Sequence, residues 1–302
     1  MLVAEYSILD PLSSIFYSLS SFVLLVFIRG SKIKNHGIME KVAINAAEVN
    51  NRKFMIISVI NQKGGVGKTT TAVNLGAALA EKGQRVLIVD LDAQHNASSL
   101  CGTRETTASM FDVLVDPEEQ PLEGIVRPSL IDNVDLAPGH RALAGLESAL
   151  LNVVGREMLL REALDPVRER YQAILIDNGP TLGIGPAMSL CAADMALVPL
   201  QCEHLALDGL AQVLQTISTA QRRTNAQLQK RILLTMLDRR INSAKDIVTA
   251  VQGRFGREVC QTIISRSSKL DIGVGSVLQH APTSNAAEDY RALAQEMIGN
   301  PH

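Results

Sequence analysis

Residues 61–71 read NQKGGVGKTTT, a run of small residues, lysines and hydroxyls that is typical of a loop for nucleotide phosphates. Glycines let the backbone turn tightly, so that its N–H groups point at phosphate oxygens. A helix that begins near Lys68 would add the positive end of its dipole. Lys68 would neutralise the β- and γ-phosphates, and the hydroxyl of Thr69 would ligate Mg²⁺. The stretch therefore predicts a site for ATP and Mg²⁺.

The loop departs from its usual sequence at one end. The usual sequence has a glycine, four further residues and then Gly-Lys-Ser/Thr. Here Gln62 takes the place of that glycine, and a second lysine, Lys63, lies inside the loop. The residues of the loop that are predicted to hold the nucleotide are Gly64, Gly65, Val66, Gly67, Lys68, Thr69 and Thr70.

Three aspartates follow apolar runs and are candidates for a metal site. Asp90 and Asp92 lie two residues apart in VDLDAQHN (89–96), so in an extended chain their side chains share a face. They suit a metal shell and the positioning of a water; the alternative is a pair of solvated turn residues. Asp177, in ILIDNGP (174–180), would reach Mg²⁺ through water, or else cap a helix. The predicted metal ligands are Thr69, Asp90 and Asp177.

Apolar runs alternate with helical patterns from residue 53 onward. Helices are predicted over 69–82, 141–170 and 207–223. Continuous apolar strands between helices indicate an α/β fold, a mostly parallel, twisted sheet with helices on both faces. Each motif above falls at the carboxyl end of a strand, where such sheets bind ligands. Strands are predicted over 54–60, 85–90, 171–177, 195–200, 231–237 and 259–264.

Composition and length predict one large domain, over residues 39–302. The chain has 302 residues, of which 46% are hydrophobic, and a formal net charge of −2. That content is sufficient for a full hydrophobic core. Its four cysteines lack C-x-x-C spacing, which argues against a zinc site or a disulfide framework. A reducing cytoplasm fits this pattern.

The first 38 residues differ in character from the rest. Residues 12–28 form an apolar run of 17 residues with five serines, shorter than the roughly 20 apolar residues that a spanning helix needs. Two alternatives follow. Residues 1–38 are either a weak membrane anchor, with the basic residues from Arg29 onward on the cytoplasmic side, or lie outside a native protein that starts at Met39.

Five motifs resemble the ParA/Soj partition ATPases, of the deviant-Walker class that includes MinD. They are KGGVGKTTT, DLDAQHN, ILIDNGPTLG, VPLQCEHLALDGL and LLTMLDRR, in the order and spacing of that family. The resemblance implies a P-loop ATPase that dimerises on Mg-ATP and binds double-stranded DNA without sequence preference. It also implies a cytoplasmic, nucleoid-associated protein whose hydrolysis is stimulated by a ParB-type centromere-binding partner.

The resemblance also implies roles for individual residues. The second lysine is the family's signature, so Lys63 would contact the partner's phosphates in trans, much as an arginine finger does. Asp92 would orient the attacking water, and Asp90 would support the metal site. Three positions depart from the family pattern: Ala93 replaces a proline, His95 replaces a glycine, and Gly179 replaces a proline that would stiffen its loop. These departures concern the switch loops and leave the phosphate loop unchanged.

Basic residues are concentrated in one part of the chain. Residues 220–270 carry eleven Lys or Arg against three Asp or Glu, a net charge of +8 in a chain of −2. Such a segment suits contact with the DNA backbone; ordinary solvated helix surface is the alternative. Residues near 238–240 and 265–266 follow strand ends and are also candidates to flank an adenine. The predicted DNA contacts are Arg222, Arg223, Arg239, Arg240, Arg254, Arg257, Arg266 and Lys269.

Membrane binding of the MinD kind is less well supported by the sequence. It needs a basic amphipathic helix at the C-terminus, whereas residues 286–298 carry three acidic residues and one arginine. Two rival functions are left open: a ParA-like switch that positions a non-DNA cargo or a membrane complex, and a metabolic P-loop enzyme.

Overall fold

The computed structural model describes residues 55–103, 106–181, 183–203, 206–238, 242–271 and 273–299. The N-terminal extension 1–38, the predicted start at Met39, and the predicted DNA contacts Arg239 and Arg240 lie outside the described residues. Among the described residues, no helix has the length and apolar character needed to cross a membrane.

The strands and helices follow one another in the alternating order that the sequence predicts. The strands are β1 (Met55–Val59), β2 (Val86–Leu91), β3 (Arg127–Pro128), β4 (Val134–Ala137), β5 (Ala173–Asn178), β6 (Met195–Gln201) and β7 (Gln229–Thr235). The helices are α1 (Lys68–Glu81), α2 (Asn96–Leu100), α3 (Met110–Val115), α4 (Leu122–Ile125), α5 (Leu146–Ala149), α6 (Leu159–Leu164), α7 (Ile184–Ala192), α8 (Ala206–Arg223), α9 (Asn242–Phe255), α10 (Val277–His280) and α11 (Asn285–Gly299). Short 3₁₀ turns occupy Arg141–Gly145, Arg156–Met158, Arg168–Arg170, Gly256–Glu258 and Ser268–Leu270.

The described strands form one sheet in the order β3-β4-β2-β5-β1-β6-β7. Every pairing is parallel except that of β3 with β4. The register places Asp177 of β5 opposite both Val59 of β1 and Asp90 of β2. The loops that follow these three strands therefore meet at one edge of the sheet, which confirms the predicted α/β P-loop architecture.

Hydrophobic layers cover both faces of the sheet because side chains of a strand point alternately to either side. In β5, Ile174 and Ile176 face the layer that contains α3, α5, α6, α7 and α8. Ala173 and Leu175 face the layer that contains α1, α10 and α11. Burial on both faces explains why these strands are continuously apolar in sequence.

The prediction of a strand over 259–264 is wrong: the segment runs beside β7 but does not form a regular strand. Only two isolated bridges, Ile232 to Val259 and Leu237 to Ser265, connect this segment to the sheet among the described residues. The N–H groups of Cys260 and Ile264 donate to the carbonyls of Ile232 and Leu234. These two donors are four residues apart in the segment, whereas their acceptors are two residues apart in β7. The two chains therefore do not stay in register, and no continuous ladder forms.

Carboxylates of α11 take the backbone donors that the ladder leaves free. Glu296 accepts from the N–H groups of Gln261 and Thr262 at 2.9 and 3.0 Å, and Asp289 accepts from Ser265 at 2.8 Å. These bonds hold an irregular edge in place and protect it from pairing with another chain.

Two other differences come from short elements. The sequence predicts a helix over 141–170, but the region is divided into α5, α6 and three 3₁₀ turns. Strands β3 and β4 are not predicted, because two- and four-residue strands give too short an apolar pattern to recognise.

Glu296→Gln tests the role of α11 at this edge. The amide keeps one acceptor but sets a donor against the second backbone N–H, so we expect a loss of about 1–2 kcal/mol of unfolding free energy. The matched control is Glu288→Gln, at an exposed position of the same helix, which should change stability by less than about 0.5 kcal/mol. Urea unfolding measures both, and equal effects of the two changes would contradict the edge-capping role.

Candidate nucleotide-binding site

The predicted phosphate loop connects β1 to α1 and has the geometry that an anion needs. Gly65 and Gly67 have φ of +73° and +90°, a conformation that L side chains rarely adopt. The N–H of Thr71 donates to the carbonyl of Gly67 at 2.8 Å, and the hydroxyl of Thr235 donates to that of Val66 at 2.9 Å. The loop therefore presents the amino end of α1, where the helix dipole favours negative charge.

The two lysines of the loop have opposite surroundings. Lys68 is buried, and its Nζ donates to the carbonyl of Lys63 at 3.2 Å. Burial lowers the pKa of Lys68, while the charges of Asp177 and Asp92 oppose that shift. The side chain of Lys63, by contrast, is 43% exposed, and its Nζ lies 3.4 Å from the carboxylate of Glu203. Glu203, which sequence reasoning missed, also accepts from the amide of Gln201.

Asp177 is the least satisfied group in this region. Both carboxylate oxygens are buried, and neither has a hydrogen-bond partner among the described residues. Burial raises the pKa of Asp177 well above its ordinary value; the charge of Asp90 adds to this, and the nearby Thr69 hydroxyl opposes it. A buried carboxylate without partners is costly unless a cation or a proton neutralises it.

Mg²⁺ fits this arrangement. No group of three His, Cys, Asp or Glu side chains is placed to hold a metal by itself in the described part of the chain. Mg²⁺ typically takes one or two carboxylates, waters and the phosphates of its nucleotide. Asp177 has free oxygens for that role, and Thr69 lies on the first turn of α1 beside it.

Asp90 differs from Asp177 although the two are opposite in the sheet. Its Oδ2 accepts from the backbone and the hydroxyl of Ser98 at 2.8 and 2.7 Å, and its Oδ1 accepts from the N–H of Asp92 at 3.1 Å. Burial raises the pKa of Asp90 to about 6, and these bonds oppose the shift. Direct ligation of the metal by Asp90 stays a prediction, which this geometry does not favour.

Asp92, which the sequence predicts to orient water, follows β2 and lies at the same sheet edge as Asp177. It is nearly buried, and its Oδ1 accepts from the N–H of Gln94 at 3.0 Å. A Cβ at Gly179 would lie 3.1 Å from this oxygen. The glycine that departs from the family pattern therefore sits directly against Asp92. His95, the second departure, has a φ of +43° and precedes α2.

A cavity of about 260 Å³ opens beside the phosphate loop and is large enough for a base and part of a sugar. Gly67 and Thr70 line it on the side of the phosphate loop, and residues 264–268, including Arg266, line it on the other side. Thr235 and Met236, at the end of β7, also line it and were missed in the sequence, because only the fold brings them to the loop. Arg266 thus belongs to the nucleotide side of the molecule.

The predicted DNA contacts do not form one surface among the described residues. Arg222 and Arg223 end α8, and Arg254 ends α9. Arg257 is in the turn that follows, where its carbonyl accepts from the guanidinium of Arg231 at the start of β7. Both helices run back from the carboxyl edge of the parallel sheet, so these residues lie at its amino edge. Arg266 and Lys269 lie at the carboxyl edge instead.

The two buried aspartates predict a pH dependence of stability without nucleotide. Their folded-state pKa values are raised, so protonation stabilises the fold below the unfolded pKa of about 4, and that stability is lost as pH rises toward about 6 and above. Asp177→Asn removes one of the two titrations. We expect its stability relative to wild type to increase as pH is raised from about 4 to 7.

Thermal melting across this pH range measures the effect. Asp132→Asn, at an exposed aspartate, is the matched control and should follow wild type. A stability difference between Asp177→Asn and wild type that is constant across the range would contradict the burial of an uncompensated charge at this position.

Comparison with known proteins agrees with this geometry. The AAA domain family matches residues 54–266. The sporulation initiation inhibitor protein Soj of Bacillus subtilis is 39% identical over 251 residues, which cover 81% of this chain and 98% of Soj. The chromosome partitioning protein ParA of Myxococcus xanthus is also 39% identical, over 80% of this chain and 87% of its own length.

A solved structure shares the fold with a bound nucleotide. The crystal structure of cobyrinic acid a,c-diamide synthase from Mycobacterium smegmatis, with bound ADP and magnesium, aligns with a TM-score of 0.73 and 34% identity. The alignment covers 81% of this chain and 94% of the synthase chain. From its sequence, its fold and these similarities, the chain belongs to the ParA/Soj type of P-loop ATPases within the AAA domain family.

Proposed function

We propose that the protein is a DNA-partition ATPase that dimerises on Mg-ATP, binds DNA without sequence preference, and leaves DNA after hydrolysis. The observation that carries this proposal is the contrast between the two lysines of one loop. Lys68 is buried within its own protomer, whereas Lys63 is exposed beside the same loop. A lysine in that position has the freedom to reach the phosphates bound by a second copy of the chain.

In the free protomer Lys63 is engaged with Glu203, so dimerisation requires an exchange of partners. Both side chains are about half exposed, and an exposed ion pair of this kind contributes at most about 1 kcal/mol. A phosphate group in a dry interface carries more charge and is less screened than Glu203. The exchange therefore favours the nucleotide-bound dimer.

The rest of the proposed cycle uses the site as described. Mg²⁺ would be held by Asp177, Thr69 and the phosphates, and Asp92 would orient the attacking water. Lys68 would neutralise the phosphates from within the protomer. When bound, the metal supplies charge stabilisation for the phosphates. The adenine would occupy the cavity beside Thr235 and Arg266, which opens next to the phosphate loop.

DNA contact is assigned first to the amino-edge group, which we define as Arg222, Arg223, Arg254 and Arg257. Its members come from the ends of α8 and α9 and from the turn that follows α9, and none of them lines the nucleotide cavity. Such a group suits contact with DNA phosphates, which carry no sequence information. Two copies of it in an ATP-bound dimer would make DNA binding depend on ATP. A cytoplasmic, nucleoid-associated protein follows, with a ParB-type partner that stimulates hydrolysis.

One of the two rival functions has specific support. The synthase from Mycobacterium smegmatis favours a metabolic P-loop enzyme, at 34% identity. The 39% identity with Soj and ParA over nearly the full length of Soj favours partition. A switch that positions a non-DNA cargo shares the ATP cycle and differs in what it moves. DNA binding in the presence of ATP separates partition from a metabolic enzyme, and a neighbouring gene for a ParB-type protein separates it from the switch.

Mixed dimers test the trans role of Lys63. Lys63→Ala retains its own Asp92, and Asp92→Ala retains Lys63, so a mixed dimer contains one complete site. Each variant alone should hydrolyse ATP at a rate reduced by about a hundredfold or more. Mixing the two nucleotide-free proteins before adding Mg-ATP should restore a substantial part of the wild-type rate.

The control for this experiment is a mixture of Lys63→Ala with a double variant that lacks both Lys63 and Asp92, which has no complete site. If Lys63 acts within its own protomer, mixing restores nothing in either case. That result, or normal hydrolysis by Lys63→Ala alone, would contradict the proposed dimer.

Charge reversal tests the DNA surface. Arg222→Glu with Arg223→Glu, or Arg254→Glu with Arg257→Glu, should weaken ATP-dependent DNA binding about equally for all sequences. The slope of log affinity against log salt should become shallower by about 0.9 for each DNA phosphate that the variant no longer neutralises. Binding of labelled duplexes at several salt concentrations measures both quantities.

The matched control is the double variant Arg141→Glu with Arg161→Glu. Both arginines are exposed and lie outside residues 220–270, and this variant changes the net charge by the same amount as the test variants. ATP binding should survive in every double variant, because none of these residues lines the nucleotide cavity. Unchanged DNA affinity in both amino-edge variants, with ATP binding intact, would move the surface to the carboxyl edge near Lys269.

A further inference from the structure

Ser98 joins three segments around the site through one side chain. Its hydroxyl donates to Oδ2 of Asp90 at 2.7 Å and accepts from the N–H of Gly139 at 2.9 Å. Its backbone N–H donates to the same Oδ2 at 2.8 Å. Ser98 and Asp90 are both fully or almost fully buried. The start of α2 is therefore fastened to the end of β2 and to the loop after β4.

Asp90 in turn holds the backbone of Asp92 by a hydrogen bond. Its other oxygen accepts from the N–H of Asp92 at 3.1 Å, so both oxygens of Asp90 are used within the chain. The segment between Asp92 and α2 is then held at both ends, at the Asp92 backbone and at Ser98. His95 lies inside this segment with a left-handed backbone, at a φ of +43°.

Gly139 completes the enclosure. A Cβ at this position would lie 2.8 Å from Cγ and 2.9 Å from Oδ1 of Asp90. Contacts this close to a buried carboxylate leave no room for a side chain, and the backbone of Asp90 is as close as its carboxylate. The carboxylate is thus shielded on the side of Gly139 and hydrogen-bonded on the side of α2.

We propose that Ser98 and Asp90 are positioning residues for hydrolysis. They fix the backbone of Asp92 so that its carboxylate holds the attacking water, and Asp90 does this in place of ligating the metal. The inference rests on the proposed role of Asp92 in orienting water, and it is independent of DNA binding and of ParB. It concerns the hydrolytic step, because the polar side-chain atoms of Ser98 and Asp90 are already hydrogen-bonded within the chain.

Ser98→Ala and Ser98→Thr form the direct test. Alanine removes the hydroxyl bond to Asp90 and leaves Gly139 without its acceptor, whereas threonine keeps the hydroxyl. The single-turnover rate of ATP hydrolysis should fall about ten- to a hundredfold in Ser98→Ala, the range expected for a misplaced catalytic group. Affinities for ATP and for Mg²⁺ should each change by less than about threefold, since ground-state binding is retained.

Ser99→Ala is the matched control. Ser99 is the neighbouring residue in α2, is exposed, and donates only to the carbonyl of His95 among described contacts. Its hydrolysis rate should equal that of wild type, and Ser98→Thr should recover most of the rate lost in Ser98→Ala. These results together support positioning.

Other outcomes overturn the proposal. Equal rates for Ser98→Ala and Ser99→Ala would show that the bond to Asp90 does not matter for hydrolysis. A rate loss in Ser98→Ala that disappears at high Mg²⁺ would show that Asp90 serves the metal. If Ser98→Ala fails to fold, Ser98→Cys replaces it: the thiol fills the site but is a much weaker hydrogen-bond donor than the hydroxyl, so it should lower the hydrolysis rate with ATP affinity retained. A Ser98→Cys protein that hydrolyses ATP at the wild-type rate would contradict the proposal.

Discussion

Negative charge concentrated at one edge of the sheet is the constraint on which the rest of the structure depends. The register of β1, β2 and β5 brings Asp90 and Asp177 side by side in a fully buried position, with Asp92 close behind. Each of the two buried carboxyls has a raised pKa because burial disfavours its charge. Such a cluster is stable only when hydrogen bonds, a neighbouring cation or a bound metal offset the charge.

The negative charges of Asp90 and Asp177 are offset in different ways. Asp90 is satisfied within the chain, by Ser98 and the backbone of Asp92. Asp177 has no hydrogen bond of this kind among the described residues, and the nearby Thr69 hydroxyl and the charge of Lys68 offset its charge only in part. The free protomer therefore keeps one aspartate as a fixed structural anchor and the other as an open position for a cation. In the proposed cycle this division would couple metal binding to nucleotide binding, because Asp177 would hold the cation of Mg-ATP and Lys68 would neutralise its phosphates.

Much of this arrangement was predictable from sequence because it rests on local patterns. Five predicted strands and the helix after the phosphate loop are confirmed within a few residues, since they are long and strongly apolar. The tight turn of the phosphate loop was also predictable, because it uses a left-handed backbone at Gly65 and Gly67 that L side chains rarely adopt. Strand order in this fold places the motifs together once the strands are parallel.

The remainder depends on contacts between residues distant in sequence. Ser98 and Gly139 carry no motif of their own, and only the fold brings them to Asp90. The segment 259–264 has the apolar pattern of a strand, but carboxylates of α11 compete for its backbone donors. The basic residues looked like one surface because composition counts charge without regard to direction. Reversal of the chain in α8 and α9 divides them between the two edges of the sheet.

Mg²⁺-dependent stabilisation by ATP tests the central claim that Asp177 is the open carboxylate of the site. The melting temperature of wild type and Asp177→Asn is to be measured with ATP in excess Mg²⁺ and with ATP in a chelator. Wild type is expected to gain stability from ATP mainly when Mg²⁺ is present, while Asp177→Asn, lacking the uncompensated charge, should gain similarly in both conditions. Equal dependence on Mg²⁺ in the two proteins would contradict that claim.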